Sequence, residues 1–172
     1  SSGISQLANA RKVNTIHGDA SFISNNELIV KSESGDKTIA FKKCIIAVGS
    51  SSAMLPGLPD DNPSILTSKT ALDLKDIPKN LLVVGGGVIG LELGQVYASL
   101  GSEVSVVEFL PSLIPGADQD IVKPLQRRLS KQFKSIMLSS KVVAVKETGE
   151  GDLSVSIESK DGTKDLRFEK IL

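Results

Sequence analysis

A glycine-rich turn between two apolar runs limits this chain of 172 residues to few folds. Residues 81–84 (LLVV) are apolar enough for a buried strand, and residues 85–90 (GGGVIG) follow at once. Apolar residues then recur at helical spacing through residues 89–100, before a second apolar strand at residues 104–107. The pattern predicts a βαβ unit of about thirty residues, the length that a parallel crossover needs.

The glycines of this turn have the spacing of a dinucleotide-binding motif. Gly85, Gly87 and Gly90 occupy the positions of G-x-G-x-x-G after a strand and before a helix. The first glycine permits the tight turn, the second lets the backbone approach a pyrophosphate, and the third allows close packing of helix on strand. A packing turn without a ligand is the alternative interpretation. The predicted cofactor-binding residues are Gly85, Gly86, Gly87, Val88, Ile89 and Gly90.

Two glutamates extend the predicted site. Glu108 ends the second strand, where the motif has an acidic residue that accepts hydrogen bonds from the adenosine ribose. A carboxylate there repels a 2′-phosphate and no arginine follows before Arg127, so the sequence favours NAD over NADP. A solvated charge at a strand end is the alternative interpretation. Glu92 is expected inside the first turn of the helix, where the helix dipole stabilises a carboxylate.

The composition excludes several kinds of chemistry. Cys44 and His17 are the only residues of their types, so neither an internal disulfide nor a His-pair or Cys-based metal site is expected. We therefore predict no metal site and no catalytic residue in this chain. The net charge is zero, which gives no electrostatic signature of a nucleic-acid or membrane partner. No apolar run approaches the roughly 20 residues that span a bilayer.

The N-terminal part is predicted to be rich in strands. Residues 27–31 and 37–41 are typical of a hairpin, and residues 44–48 (CIIAV) predict a buried strand in which Cys44 is an inert core thiol. Prolines then interrupt regular structure, apart from one short helix at residues 68–74. We place a domain boundary near residue 62, which divides the chain into residues 1–62 and 63–172.

The C-terminal part adds a second helix and a meander. Ile121, Leu125 and Leu129 have helical spacing, and Pro124 should kink this helix if it starts at Asp118 but not if it starts at Asp120. A third strand is expected at residues 136–138. The remaining apolar residues alternate, which predicts an antiparallel meander with one buried face. The predicted class is α/β, with a Rossmann-like parallel sheet, this meander and a β-rich N-terminal part.

Residues 80–120 (NLLVVGGGVIGLELGQVYASLGSEVSVVEFLPSLIPGADQD) closely resemble dihydrolipoamide dehydrogenase, the flavin disulfide reductase of the 2-oxoacid dehydrogenase complexes. The resemblance covers almost the whole chain. Residues 13–22 (VNTIHGDASF) resemble the late part of that family's FAD domain, and residues 45–59 (IIAVGSSSAMLPGLP) resemble the segment leading out of it. The most diagnostic piece is residues 114–120 (IPGADQD).

The resemblance implies roles for individual residues. Residues 85–90 would hold the pyrophosphate of NAD, and Glu108 would hold the adenosine ribose. Glu92 would lie by the nicotinamide, and Val142 would pack on the adenine side. The glycine at position 94, four residues after Gly90, resembles the residue that NAD-preferring members of the family have in this helix. In an intact enzyme FAD would be faced by four residues of the N-terminal part: Ala20, Val48, Gly49 and Ser50.

The resemblance also implies a longer parent. The family's FAD motif, redox-active cysteine pair and His–Glu pair are not in these residues, so we expect a piece from the middle third of a cytoplasmic enzyme. The parent would reoxidise dihydrolipoyl groups through a disulfide and FAD to NAD, with lipoyl domains and a second identical subunit as partners. The alternatives are a sister flavoprotein, such as mercuric reductase or a soluble transhydrogenase, and a stand-alone NAD-binding module.

Overall fold

The computed structural model describes residues 2–52, 62–149 and 151–172. It divides into two compact units, Ser1–Ser50 and Ser51–Leu172. The division along the chain falls at the start of the proline-rich connector. The functional boundary near residue 62 stays a prediction, and Pro56 and Pro59 of the connector lie outside the described residues.

The first unit contains one helix and a three-stranded antiparallel sheet. Its elements are α1 (Ser2–Ala10), β1 (Asp19–Phe22), β2 (Glu27–Lys31) and β3 (Lys37–Ala40). The strands lie in the order β1-β2-β3, so the hairpin expected from the sequence is confirmed. Helix α1 and strand β1 were not expected; α1 has no buried residue and β1 is exposed throughout.

The apolar run at residues 44–48 is not a strand. These residues have no regular structure, Ile45 and Val48 are 91% and 89% exposed, and the thiol of Cys44 is also exposed. The prediction of a buried strand with a core thiol is therefore wrong for this chain. An apolar run favours an extended, buried backbone, but a strand also needs a neighbour that accepts its hydrogen bonds. Within the described residues no strand pairs with this segment.

The second unit carries the βαβ unit and the meander. Its elements are α2 (Ser68–Ala71), β4 (Asn80–Val84), α3 (Val88–Ser99), β5 (Glu103–Val107), α4 (Gln119–Gln132), β6 (Ser135–Met137), β7 (Lys141–Glu147), β8 (Leu153–Ser159), β9 (Gly162–Phe168) and β10 (Lys170–Ile171). The predicted α/β class, with a parallel sheet and an antiparallel meander, is confirmed. The helix expected at residues 68–74 is shorter, and Thr67 is its N-cap.

The parallel sheet has the strand order β10-β4-β5-β6. From β4 the chain moves outwards to β5 and β6, whereas β10 joins on the opposite side of β4. Two neighbouring strands whose connections leave in opposite directions form a switch point, and a crevice opens at their carboxyl ends. The sequence did not predict β10, because a strand of two residues is too short for a periodicity.

The two faces of this sheet are covered differently. On one face α3 and α4 bury an apolar cluster that includes Leu81, Val83, Val104 and Val106. On the other face the sheet packs against the meander, which buries alternate residues of β8 (Leu153, Val155 and Ile157). The predicted meander with one buried face is therefore confirmed. The second unit therefore has three layers, with the parallel sheet between the helices and the antiparallel meander.

Helix α4 settles where Pro124 lies. The N-cap is Asp118, so Pro124 is the sixth residue of the helix and lies beyond the first turn. Proline has no N–H, so the carbonyl of Asp120, four residues earlier, loses its helical partner. The helix nevertheless continues to Gln132, because Val122 and Leu129 bury its apolar face in the core.

A hydrogen bond from Tyr97 connects α3 to α2. The Tyr97 hydroxyl donates a hydrogen bond to the carbonyl of Ala71 over 2.8 Å, and both residues are buried. Burial raises the pKa of Tyr97 above its usual value of about 10, and the carboxylates of Asp76 and Asp73 raise it further. The neutral phenol is therefore the form that the fold stabilises.

We predict that Tyr97 titrates above pH 10 in the folded chain. Tyr97 is the only tyrosine and tryptophan is absent, so tyrosinate absorbance in the near ultraviolet reports this residue alone. The unfolded chain releases the phenolic proton first, so the unfolding free energy should fall as pH rises above 10. Tyr97→Phe should lose this component of the pH dependence, and about 1–3 kcal/mol of stability at neutral pH, since it leaves the Ala71 carbonyl unpaired. An equal titration midpoint in folded and denatured protein would contradict the prediction.

Candidate functional site

The glycine turn joins β4 to α3 at the centre of the parallel sheet. Gly85 has φ +109°, a conformation that favours glycine, and its N–H donates to the Val107 carbonyl over 2.8 Å. A Cβ on Gly90 would lie 2.6 Å from the Gly85 carbonyl oxygen, so only glycine allows α3 to approach the turn this closely. The turn and packing roles expected for the first and third motif glycines therefore have direct structural reasons.

Among the described residues nothing requires a glycine at position 87. Its φ of −76° suits any residue, and a Cβ there would meet no atom of the described residues within 4 Å. Gly87 is also the N-cap of α3, and it offers no side chain to the first N–H groups of the helix. The space beside it is therefore an open cradle that a side chain would fill. A helix start with free N–H groups and a bare backbone suits a phosphate group.

Glu108 holds the turn from the neighbouring strand. The residue is 7% exposed, and one carboxylate oxygen accepts the Gly86 N–H over 2.6 Å. The other oxygen accepts the Leu110 N–H over 2.7 Å. Glu108 is thus not a solvated strand-end charge. Each oxygen retains a lone pair, so the carboxylate can also accept hydrogen bonds from ribose hydroxyls. Sequence reasoning identified the residue but missed its bond to the turn.

A cleft of about 540 Å³ opens at the switch point between β4 and β10. Most of its lining comes from residues 65–68, from the glycine turn, and from Ile171 and Leu172. Five of the six predicted turn residues line it; Gly86, which Glu108 engages, does not. The side chains are mainly apolar, with Ser52, Thr67 and Ser68 as polar exceptions. Sequence reasoning missed the part contributed by residues 65–68 and β10, which carry no motif.

Glu92 lies outside the first turn of α3. The helix starts at Val88, so Glu92 is its fifth residue, and its first turn contains no acidic residue. The expectation of a first-turn carboxylate is wrong, because Gly87 ends the turn and starts the helix earlier than the apolar spacing suggested. The side chain is exposed. Its contact with a nicotinamide stays a prediction.

Val142 lies on β7, near the end of β5. It is partly buried against the cluster between the two sheets, and it pairs with Ile157 beside a bulge. Ser140, two residues earlier, donates its N–H to the Glu108 carbonyl. The chain therefore passes from the Glu108 backbone to Val142 within three residues. That Val142 packs against adenine stays a prediction.

The four residues expected to face FAD belong to the first unit. Ala20 lies on β1 opposite Val30, and it is exposed. Val48, Gly49 and Ser50 have no regular structure and are exposed as well, with Gly49 at φ +72°. Their role toward a flavin stays a prediction.

The whole sequence, residues 1–172, matches the family model for pyridine nucleotide-disulphide oxidoreductases. The chain belongs to this family. It is 42% identical over 171 residues to dihydrolipoyl dehydrogenase from Haemophilus influenzae, covering 99% of this chain and 35% of the relative. It is 42% identical over 161 residues to dihydrolipoyl dehydrogenase 1, mitochondrial, from Arabidopsis thaliana, covering 93% of this chain and 32% of the relative. The resemblance expected from residues 80–120 is confirmed.

Solved structures share the fold. The HOCl-induced flavoprotein disulfide reductase RclA from Escherichia coli aligns with a TM-score of 0.78 and 26% identity, covering 98% of this chain and 38% of RclA. LpdA from Mycobacterium tuberculosis aligns with a TM-score of 0.85 at 24% identity, covering 100% of this chain and 38% of LpdA. The chain spans about a third of the length of the curated relatives that it matches. Among the described residues, no helix has the length and apolar character needed to cross a bilayer.

We predict that Glu108→Gln destabilises the second unit although it changes only one atom. The glutamine amide has one acceptor oxygen, so its NH2 group must face the N–H of either Gly86 or Leu110. One buried donor is then unpaired, which should lower the unfolding free energy by about 1–3 kcal/mol. The measurement is urea denaturation followed by circular dichroism.

The matched control is Glu103→Gln at the exposed start of the same strand. Glu103 forms a surface ion pair with Lys134, so its loss should cost less than about 1 kcal/mol. Equal losses for the two variants would show that the Glu108 hydrogen bonds do not hold the turn.

Proposed function

We propose that the second unit binds NAD(H) at the carboxyl edge of its parallel sheet. The observation that carries this proposal is Gly87: neither its backbone angles nor its neighbours require a glycine, yet it borders an open space at an uncapped helix start. A pyrophosphate beside Gly87 would explain the glycine, because a Cβ would occupy its place. The adjacent cleft lies at a switch point, where open α/β sheets bind ligands.

NAD is the form of the cofactor that Glu108 favours. Its carboxylate lies at the end of β5, fixed by two backbone N–H groups, and can accept the adenosine ribose hydroxyls. A 2′-phosphate would bring a second anion beside this carboxylate, which is unfavourable. We assign Glu92 to the nicotinamide end and Val142 to the adenine end of the same cofactor.

For the intact protein we propose dihydrolipoyl dehydrogenase activity. The support is the 42% identity to enzymes of that name across almost the whole chain. In this reaction a dihydrolipoyl group and NAD+ give a lipoyl group, NADH and a proton. In the intact protein the dihydrolipoyl group would reduce a redox-active disulfide, and FAD, when bound, would relay the electron pair from the resulting cysteine dithiol to NAD+. Ala20, Val48, Gly49 and Ser50 would face the flavin.

The present chain is proposed to supply only the NAD(H)-binding portion and not to catalyse the reaction by itself. It has one cysteine, and a redox-active pair needs two. Lipoyl domains of a 2-oxoacid dehydrogenase complex and a second identical subunit are the proposed partners of the intact protein, and the cytoplasm is its proposed location.

Another flavoprotein disulfide reductase is the second candidate for the intact protein. RclA, which is described by that name, shares this fold over 98% of the chain at 26% identity. A soluble transhydrogenase would use the same NAD(P)-binding fold without a redox-active cysteine pair. The coding sequence upstream of residue 1 separates these possibilities, because a Cys-x4-Cys motif supports a disulfide reductase.

We predict that Gly87→Ala folds normally but loses affinity for NADH. The added methyl meets no atom of the described residues within 4 Å and the φ of −76° tolerates alanine, so the unfolding free energy should change little. The same methyl would occupy the place of the pyrophosphate, and binding should weaken by about tenfold or more. Titration calorimetry with NADH up to millimolar concentration is the measurement.

Two other glycines serve as controls for this variant. Gly149→Ala adds a methyl in similarly open space away from the cleft, and it should bind NADH like the wild type. Gly90→Ala should instead destabilise the fold, because its Cβ would lie 2.6 Å from the Gly85 carbonyl. If Gly87→Ala binds NADH as well as Gly149→Ala does, the pyrophosphate does not pass Gly87. If the wild type itself shows no heat at millimolar NADH, the proposed site fails.

The activity of the intact protein is tested separately. We expect the present chain to purify without bound FAD and to show no lipoamide-dependent NADH formation. The protein expressed from its full coding sequence should bind FAD and reduce NAD+ with dihydrolipoamide. A full-length protein that binds FAD but does not oxidise dihydrolipoamide would favour the assignment to another flavoprotein disulfide reductase. Lipoamide turnover by the present chain alone would refute the proposal that this chain binds NAD(H) but does not catalyse the reaction.

A further inference from the structure

Residues 109–118, here called the covering loop, form a second contact with the glycine turn, in addition to that of Glu108. Gly86 donates its N–H to Glu108, and its carbonyl accepts the Ile114 N–H over 2.9 Å. Both hydrogen-bonding groups of Gly86 are therefore engaged. Gly86 is not one of the three motif glycines, so the motif does not explain these bonds.

Leu113 explains why residue 86 is a glycine. Its side chain is fully buried, and a Cβ on Gly86 would lie 2.6 Å from Leu113 Cδ2. The same Cβ would lie 3.2 Å from both Cβ and Oε2 of Glu108. The backbone of Gly86 is therefore packed between these two side chains. Gly87, the next residue, has open space instead, so the turn presents a packed face to the protein and a bare face to the cleft.

Ile114 adopts a conformation that its side chain disfavours. Its φ is +45°, and β-branched residues rarely have positive φ. Such a conformation persists where the surroundings hold it. Here the Ile114 N–H bonds to Gly86, its carbonyl accepts the Ala117 N–H over 3.1 Å, and its side chain packs against the core. The covering loop is thus held in one conformation by its contact with the turn.

We propose that Leu113 and Ile114 are positioning residues for the dinucleotide site. They fix the Gly86 peptide, and through it they orient the bare backbone of Gly87 and the start of α3 before a ligand arrives. Neither residue lines the switch-point cleft. A preformed site avoids the cost of ordering the turn on binding, so loosening the turn should reduce affinity without removing any contact to the cofactor. The proposal rests on the proposed function for its ligand, but not for its effect on the turn.

The first test compares Leu113→Ala with Leu129→Ala in the 172-residue chain. Both leucines are fully buried in the same apolar cluster, but Leu129 lies on α4, away from the turn. Both variants should lower the thermal midpoint. Only Leu113→Ala should raise the dissociation constant for NADH, by about tenfold, and Leu113→Met should restore most of the affinity. An equal change of affinity in the two alanine variants would overturn the proposal.

A second readout needs no ligand. Amide hydrogen exchange at Gly86 and Ile114, whose N–H groups are both hydrogen-bonded, should be faster in Leu113→Ala than in Leu129→Ala when the two variants are compared at equal overall stability. Gly86→Ala should be less harmful in the Leu113→Ala background than in the wild type, because the clashing Cδ2 atom is gone. If the wild type does not bind NADH, the proposed function fails while this test still stands. Unchanged exchange at the turn in Leu113→Ala would overturn the positioning role.

Discussion

The carboxylate of Glu108 is the interaction on which the proposed site depends. It lies at the end of β5 and accepts the N–H groups of Gly86 and Leu110, one on each oxygen. The first bond joins β5 to the turn after β4, and the second fixes the chain as it leaves β5. One side chain therefore sets the turn and the start of the covering loop. In the proposed complex the same carboxylate also receives the ribose, so its structural and binding roles are inseparable.

Strand order then decides where a ligand can enter. β10 joins β4 on the side opposite β5, and a crevice opens at the carboxyl ends of β4 and β10. The meander covers one face of the sheet and the helices cover the other. Both faces are closed, so the carboxyl edge beside the glycine turn is where this unit can receive an extended dinucleotide.

The four glycines of this region are glycines for different reasons. Gly85 needs its positive φ, Gly86 lies under Leu113, and Gly90 lets α3 approach the turn. For Gly87 no contact within the part of the chain that the structure describes requires a glycine, which is why we propose that a ligand lies beside it. The motif gives roles to Gly85, Gly87 and Gly90 and leaves out Gly86. The contacts around each residue separate the glycines that the fold itself requires from Gly87, which it does not require.

The sequence by itself determined the βαβ unit, the meander and the importance of Glu108, because apolar periodicity and glycine spacing are local properties. It also indicated the family, through residues 80–120. Tertiary structure alone decided that β10 pairs with β4 and that Leu113 and Ile114 reach Gly86, because these contacts join residues far apart in the chain. It also decided that residues 44–48 are exposed, because an apolar run is buried only where other parts of the fold pack against it.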